Sequence, residues 1–225
     1  MNAGDAGEDR AGSGSGLRER KKRETRTALS WAAIRLTVER GLANVRTEDI
    51  AAEAGVSPRT FNNYFSGKAE AVAARQIERG RQIAEELRAR PESEPLWEAV
   101  TNAVLERFAL GLPTDAGKAP DEHWTAGVRV MLGEPALQGE FFKAAGVTKA
   151  ELTRAVAERT GTDAGREMYP ELVAAAVTGA VTVVSERYVA ADPPVPFEEL
   201  LRDAFGQLAA GLPEPRRKKG RGSSA

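Results

Sequence analysis

Cysteine is absent from this chain of 225 residues, and histidine occurs only once, at His123. The lack of cysteine excludes disulfide bonds, thiolate metal sites and cysteine nucleophiles. One histidine is too few for a histidine metal cluster, and it makes a Ser-His-Asp triad a weak hypothesis. Nothing in the composition therefore requires a metal ion or a cofactor, and we expect the protein not to be an enzyme.

Strand-like alternation and long apolar runs are also scarce. Apolar and polar residues alternate nowhere for more than a few positions, which excludes a sheet-based nucleotide-binding fold. The longest uncharged apolar run covers residues 172–185 and is too short to span a bilayer. The N-terminus is rich in glycine, serine and acidic residues, whereas a secretory signal is basic and then apolar. We therefore expect an all-α, cytoplasmic protein that does not contact a membrane.

Charge is unevenly distributed although the formal net charge is only −1. Residues 17–82 carry 14 Lys and Arg against 8 Asp and Glu, a balance of +6, whereas residues 83–215 carry 12 against 22, a balance of −10. The basic residues are densest in an N-terminal arm: Arg18, Arg20, Lys21, Lys22, Arg23 and Arg26. This asymmetry predicts a polyanionic partner at one end of the molecule. A merely solubilising basic segment is the alternative.

Residues 46–68 form a pattern of two short helices joined by a tight turn. Ile50 and Ala54 lie on one inward stripe of the first helix. Gly55 ends that helix, because glycine adopts the left-handed conformation without steric cost. Ser57 is a good N-cap for the second helix, and Pro58 fits its first position, where a missing N–H costs nothing. The stretch therefore predicts a helix-turn-helix.

The second of these helices has a polar outer surface. Phe61 and Phe65 are four residues apart and are expected in the core. The other faces then carry Arg59, Thr60, Asn62, Asn63 and Tyr64. Arginine can bond guanine and asparagine can bond adenine through two hydrogen bonds each, and hydroxyl groups can reach phosphates. The pattern predicts a helix that enters the major groove of DNA. A small α-hairpin with a solvated face is the alternative.

The flanking segments extend this pattern into a resemblance. The stretch LSWAAIRLTVERG, followed by VRTEDIAAEAGVSPRTFNNYFSGKAEAV, resembles the N-terminal domain of the TetR family of bacterial transcriptional regulators over about residues 20–72. The combination of AGVS, a following TF and YFxxK is specific to that family. The resemblance implies a three-helix DNA-binding head whose recognition helix covers residues 58–64.

The same resemblance implies roles for individual residues. It places phosphate contacts on Thr60, Tyr64 and Lys68, and it places the start of the second helix at Arg46 or Thr47, which also count as DNA-binding candidates. A freely solvated side chain is the alternative for Lys68. Asn62 stands where the family often has an aromatic residue, so we expect a base sequence different from that read by relatives with tyrosine there.

The rest of the chain predicts helices and turns, with about nine helices in total. Segment 172–185 carries no charge and is apolar on every face, so every face should be buried. A small bundle covers one face only, and the other is predicted to meet a second copy of the chain. The expected interface residues are Leu172, Ala176, Gly179, Ala180, Val183 and, from the last helix, Phe205. The TetR resemblance likewise implies a dimer built on the last two helices, and a purely intrachain core helix is the alternative.

These patterns divide the chain into a flexible tail (1–16), a helix-turn-helix head with its basic arm (17–67), a helical ligand-binding and dimerisation domain (68–212) and a basic flexible tail (213–225). Candidate pocket residues are aromatic or polar groups of the central helices: Trp97, Phe108, His123, Trp124, Met131, Phe141, Phe142 and Tyr169. Core packing is the alternative for each of them.

The resulting hypothesis is a homodimeric, ligand-responsive transcriptional regulator. We expect a repressor that leaves a palindromic DNA operator when a small apolar or amphipathic effector binds. One alternative is a DNA-binding dimer without a small-molecule ligand. The other is a carrier or enzyme with an incidental helix-turn-helix.

Overall fold

The computed structural model describes residues 9–109, 122–192 and 195–214. Within these ranges the chain forms nine α-helices and one 3-10 turn, and it forms no strand. The all-α fold and the number of helices expected from the sequence are therefore confirmed for this part of the chain.

The N-terminal head contains α1 (Asp9–Arg40), a 3-10 turn (Leu42–Asn44), α2 (Thr47–Glu53) and α3 (Pro58–Asn62). α1 stops before Gly41, whose φ of 75° is left-handed. The helix begins at Asp9, so it includes residues 9–16, which the sequence analysis assigned to a flexible tail; the division of the chain into domains stays a prediction. An established helix extends at low cost per residue, and the adjoining segment rich in Arg, Lys and Glu favours helix. Residues 1–8 lie outside the described ranges, as do residues 215–225 of the second predicted tail.

Six further helices follow. They are α4 (Lys68–Ala89), α5 (Leu96–Ala109), α6 (Glu122–Leu132), α7 (Pro135–Thr160), α8 (Tyr169–Ala190) and α9 (Phe197–Ala209). α4 packs against α1 on one side and against α5 and α7 on the other. α8 lies between α7 and α9, and α6 contacts both α1 and α8. Two helices of the body, α4 and α6, therefore contact α1 of the head.

Two hydrophobic clusters divide the interior. The head cluster combines residues of α1, α2 and α3 with the first half of α4, and it also includes Met131 of α6 and Leu137 of α7. The body cluster combines the second half of α4 with α5, α7, α8 and α9. Because α4 contributes to both clusters, it is a continuous rod between the head and the body.

Two glycines allow close helix crossings. A Cβ atom added at Gly127 of α6 would lie 2.8 Å from the backbone oxygen of Val38 in α1, and one added at Gly80 of α4 would collide with the side chain of Thr148 in α7. Neither backbone could approach so closely with a larger residue. The α1–α6 and α4–α7 crossings therefore depend on glycine.

Candidate functional site

The turn between α2 and α3 has the geometry that its residues predict. Gly55 takes a left-handed φ of 69°, and its N–H donates to the carbonyl oxygen of Ala52 at 3.0 Å. The hydroxyl of Ser57 accepts a hydrogen bond from the backbone N–H of Thr60 at 3.1 Å. Pro58 is the first residue of α3. Glycine, cap and proline together set the angle at which α3 leaves the turn, and the predicted helix-turn-helix is confirmed.

The start of α2 resolves the choice between Arg46 and Thr47. Arg46 is the N-cap residue and Thr47 the first helical residue. The backbone N–H of Arg46 donates to the carboxylate of Asp49 at 3.0 Å, so an acid in the first turn satisfies a donor at the helix end. Arg46 is exposed, and Thr47 is half-buried.

α3 separates its apolar and polar residues as the sequence predicts. Phe61 and Phe65 are 0% and 2% exposed, with ring centroids 5.7 Å apart. Arg59, Asn62 and Asn63 are exposed on the other side. The outer surface of α3 thus presents two amides and a guanidinium group, and residues 57–64 contain no acid.

Two residues expected at the phosphates are partly engaged within the head. The Thr60 hydroxyl lies 2.9 Å from the Ser57 hydroxyl. The backbone oxygen of half-buried Tyr64 accepts a hydrogen bond from the guanidinium of Arg26 at 3.1 Å, and that guanidinium lies 4.5 Å above the ring of Phe65. Arg26 therefore links α1 to the segment that follows α3, although the sequence analysis placed it in a basic arm.

Lys68 forms hydrogen bonds within the head that neither sequence interpretation anticipated. Its ammonium nitrogen donates to the backbone oxygens of Leu42 at 2.7 Å and Val45 at 2.9 Å. The side chain is therefore not freely solvated, and its charge is directed at the carbonyl groups that precede α2. This geometry makes Lys68 a link between the start of α4 and the helix-turn-helix. A phosphate contact by Lys68 stays a prediction.

The eight candidate pocket residues are divided between two hydrophobic clusters and the surface, and a shared pocket stays a prediction. Trp124, Met131 and Phe141 pack against the head cluster, whereas Trp97 and Phe108 pack against the body cluster. The remaining three, His123, Phe142 and Tyr169, are exposed, and Phe142 reaches 82% exposure. The crossing of α6 over α1 at Gly127 accounts for Trp124 and Met131, because it turns the apolar side of α6 toward the head.

A row of stacked rings and guanidinium groups runs through the body. The Arg79 guanidinium lies 4.3 Å from the ring centroid of Phe108, which lies 5.0 Å from that of Phe197. Phe197 meets Tyr188 at 5.4 Å, and the Arg129 guanidinium lies 4.8 Å from the Tyr188 ring. Such contacts stabilise cations where water is excluded. Two arginines, Arg79 and Arg129, thus lie at the two ends of this row.

Arg75 and Arg79 are the inward-facing charges that the sequence interpretation missed. Arg75 is 9% exposed, and its guanidinium lies 5.1 Å from the ring of Trp31. Burial lowers the pKa of Arg75 despite the nearby Glu78, and burial together with the charge of Arg75 lowers the pKa of Arg79 to about 10. Their four-residue spacing could have revealed them, because it places both arginines on the same stripe of α4 as buried Ile83.

The predicted dimer surface is partly present on α8. Leu172 and Val183 are 61% and 50% exposed. Gly179 is exposed, and an added Cβ there would meet no atom within 4 Å. Ala176 and Ala180 are half-buried. These residues form a strip of apolar and small side chains along one side of the helix.

Phe205 does not belong to this strip. It is 1% exposed and lies in the body cluster, which corrects its assignment to the interface. The apolar stripe of α9 packs inward against α8 and α5, and the face that remains exposed carries polar residues such as Arg202 and Asp203.

The length of α8 also corrects the argument that the longest apolar run is too short to span a bilayer. The helix has 22 residues and is long and apolar enough to cross a membrane by length and composition, although only 22% of its most apolar window is buried. The sequence argument considered only residues 172–185. A helix at a protein–protein interface has the same composition, because it too hides apolar residues from water.

Comparison with known families and relatives agrees with this architecture. The family model described as bacterial regulatory proteins, tetR family, matches residues 31–74. The one described as the MftR C-terminal domain matches residues 94–213. The HTH-type transcriptional regulator TcmR of Streptomyces glaucescens is 30% identical over 211 residues, which cover 90% of this chain and 92% of TcmR.

Solved structures share the fold at lower identity. A putative TetR-family regulator from Syntrophomonas wolfei has a TM-score of 0.58 at 18% identity, covering 85% of this chain and 97% of its own. The fatty acid degradation regulator FadR from Bacillus halodurans has a TM-score of 0.53 at 17% identity, covering 84% and 96%. SmeT, described as the repressor of the Stenotrophomonas maltophilia multidrug efflux pump SmeDEF, has a TM-score of 0.51 at 21% identity, covering 84% and 96%.

Proposed function

Because this chain belongs to the TetR family of DNA-binding transcriptional regulators, we propose that it is a cytoplasmic, homodimeric repressor that a small effector releases from a palindromic operator. The TetR family consists of regulators and not of enzymes. The observation that carries the proposal is the outer surface of α3, where Arg59, Asn62 and Asn63 are exposed together. These side chains have the hydrogen-bonding groups that read guanine and adenine in the major groove.

The surroundings of α3 support a DNA-binding role. The exposed arm residues Arg18, Arg20 and Lys22 belong to the same head, and positive side chains near a reading helix neutralise phosphates and release counterions. Arg46 and Thr47 lie at the N-terminus of α2, where backbone N–H groups favour an anion. The same proposal assigns contacts with the DNA phosphates to Thr60, Tyr64 and Lys68.

A dimer supplies the second reading helix. The exposed strip of α8 formed by Leu172, Ala176, Gly179, Ala180 and Val183 offers a surface on which two α8 helices can approach closely. Two reading helices match a palindrome when they lie one turn of DNA apart, about 34–36 Å. An interface in the body therefore controls whether both heads can bind at once.

α4 is the proposed route from effector to head. Its first half packs in the head cluster and its second half in the body cluster. An effector changes DNA affinity only if it binds one arrangement of the two heads better than the other. FadR of Bacillus halodurans and SmeT regulate fatty acid degradation and a multidrug efflux pump, and by analogy we assign this chain an apolar or amphipathic effector.

A DNA-binding dimer without a small-molecule ligand is the second candidate. The observation in its favour is that Trp97, Phe108, Trp124, Met131 and Phe141 pack into or against the two hydrophobic clusters. On this interpretation the body serves dimerisation only.

Selection of DNA by the purified full chain tests the first part of the proposal. Random duplexes retained by the protein are sequenced, and the expected result is an enriched palindrome. Enrichment without sequence preference would contradict specific repression.

Thermal unfolding against a panel of amphipathic compounds then separates the two candidates. The repressor requires a compound that raises the melting temperature and also weakens binding to the selected palindrome. Stabilising compounds that leave DNA affinity unchanged would favour the dimer without an effector.

A further inference from the structure

A small cleft lies between α1 and α4, where the head meets the rod that enters the body. Its cavity volume is about 40 Å³. A cavity needs about 10–15 Å³ of this volume for each water molecule, so the cleft has room for a group of a few heavy atoms. Its lining includes four arginines, Arg23, Arg26, Arg75 and Arg81, against one acid, Glu78.

The positive charge of this cleft is poorly compensated within the chain. Among the residues that the structure describes, no acid forms an ion pair with Arg23, Arg75 or Arg81. The carboxylate of Glu78 accepts a hydrogen bond from the side chain of Gln82 at 3.2 Å. Arg75 is 9% exposed, and a buried guanidinium without an ion-pair partner destabilises the fold. Arg23 and Arg81 are exposed and add positive charge around the same cleft.

Two buried polar atoms of the lining also lack hydrogen-bond partners. Ser30 is 2% exposed, and neither its hydroxyl oxygen nor the Nε atom of Arg75 forms a hydrogen bond. An unsatisfied buried polar atom costs about 1–3 kcal/mol. These two groups belong to different helices, α1 and α4, and both border the same cavity. A bound acceptor in the cleft would satisfy them together.

We propose that the cleft between α1 and α4 is a binding site for a phosphate group, held by Arg23, Arg75 and Arg81 with the Ser30 hydroxyl as an additional donor. Guanidinium groups match phosphate through paired hydrogen bonds. The group can come from a free phosphorylated or inorganic ion or from the DNA backbone. In either case the bound anion joins α1 of the head to α4 and is separate from an effector site in the body.

Thermal unfolding of the full chain without DNA tests the free-ion source. Inorganic phosphate is titrated against potassium chloride at matched ionic strength. We expect a saturating rise in melting temperature of about 3–6 °C when phosphate exceeds its Kd tenfold. Arg81→Gln should remove most of this rise. Arg40→Gln, which removes the same charge from α1 outside the cleft, should keep it.

Ser30→Ala distinguishes a donor from a structural hydroxyl. The variant should melt at a higher temperature than the unmodified chain in chloride, because an unsatisfied buried group is removed. It should also need a higher phosphate concentration to reach half of the phosphate-dependent rise. A merely structural role of Ser30 would give the first change without the second.

Duplex DNA in phosphate-free buffer tests the backbone source. If Arg81→Gln and Ser30→Ala weaken DNA binding more than Arg40→Gln does, and phosphate gives no saturating rise, the occupant is a backbone phosphate. If only the phosphate titration changes, the occupant is a free ion. The proposal is overturned if neither measurement separates Arg81→Gln from Arg40→Gln. A melting temperature that rises linearly with phosphate, and equally in all the proteins, also overturns it, because phosphate strengthens the burial of apolar surface in any protein.

Discussion

The ammonium group of Lys68 donates a hydrogen bond to the backbone oxygen of Val45 at 2.9 Å. Lys68 is the first residue of α4, and Val45 is the C-cap of the 3-10 turn that precedes α2. A second bond, to Leu42 at 2.7 Å, strengthens the same link. The start of α4 is therefore tied directly to the segment that precedes α2, and this is the kind of link that the proposed route from effector to head requires.

We predict that Lys68→Met destabilises the head. The substitution keeps the length and apolar stem of the side chain but removes the charged donor, which should lower the free energy of unfolding by about 1–3 kcal/mol. Binding to specific and scrambled duplexes should weaken together. Denaturant unfolding followed by DNA titration measures both effects.

Lys22→Met is the matched control, because Lys22 is an exposed lysine of the arm. It should leave the unfolding free energy unchanged and make the salt dependence of DNA binding shallower by about one unit of slope per subunit. If Lys68→Met leaves the free energy of unfolding unchanged, as Lys22→Met should, the intramolecular link is dispensable.

The crossing of α6 over α1 is the second contact between the body and the head. Gly127→Ala would place a methyl group 2.8 Å from the backbone oxygen of Val38, and we predict a loss of about 1–3 kcal/mol of stability from overpacking. Gly139→Ala in α7, where an added Cβ meets nothing within 4 Å, should instead add about 0.5–1 kcal/mol through helix propensity. If Gly127→Ala and Gly139→Ala change the melting temperature equally, the α1–α6 crossing is not tightly packed at Gly127.

Acid should weaken the corner between α4 and α5. The hydrogen bond from Arg90 to Glu94, at 2.9 Å, and then that from Asn102 lower the pKa of Glu94. A carboxylate whose pKa is lower in the folded state stabilises the fold above its unfolded pKa and loses that contribution as the pH falls through the folded value. Stability should therefore decline below about pH 4.5.

Glu94→Gln should make this decline shallower in melting temperatures measured from pH 6 downward. The control is Glu92→Gln, an exposed residue of the same corner, which should follow the unmodified chain. If the melting temperature of Glu94→Gln falls with pH in parallel with that of the unmodified chain, Glu94 does not contribute to the acid destabilisation.

The strip on α8 predicts how the dimer can be broken. Gly179→Arg places a long charged side chain in the proposed close contact of two helices, where an unpaired charge is costly. Light scattering should then give the mass of a monomer. Gly146→Arg is the control, because Gly146 is another exposed helical glycine with nothing within 4 Å of an added Cβ, and it should remain dimeric. A monomeric unmodified chain at micromolar concentration would contradict the interface.

The head could be predicted from the sequence because its signals are local. Gly55, Ser57 and Pro58 act on the backbone of their immediate neighbours, and the four-residue spacing of Phe61 and Phe65 fixes which face of α3 is buried. The alternative between Arg46 and Thr47 required the structure, because both can precede a helix.

The body could be predicted only as far as its helices. Trp124 and Met131 pack with the head because α6 crosses α1, a contact between distant segments that periodicity does not reveal. Phe205 lies on a clearly apolar stripe of α9, yet the stripe alone does not say whether its partner is α8 of the same chain or of a second copy. The intramolecular partners of Lys68 and Arg75 were missed for the same reason, since those partners lie on distant segments of the chain.

The central claim is that the outer face of α3 reads DNA bases, and binding of single variants to the selected operator and to a scrambled duplex tests it most directly. Arg59→Ala and Asn63→Ala should each cost about 1–3 kcal/mol per half-site on the operator, with little change on the scrambled duplex. Arg166→Ala, which removes an exposed arginine of the body, should change neither. If Arg59→Ala and Asn63→Ala lower the affinity for both duplexes equally, α3 is not the reading helix and the account is contradicted.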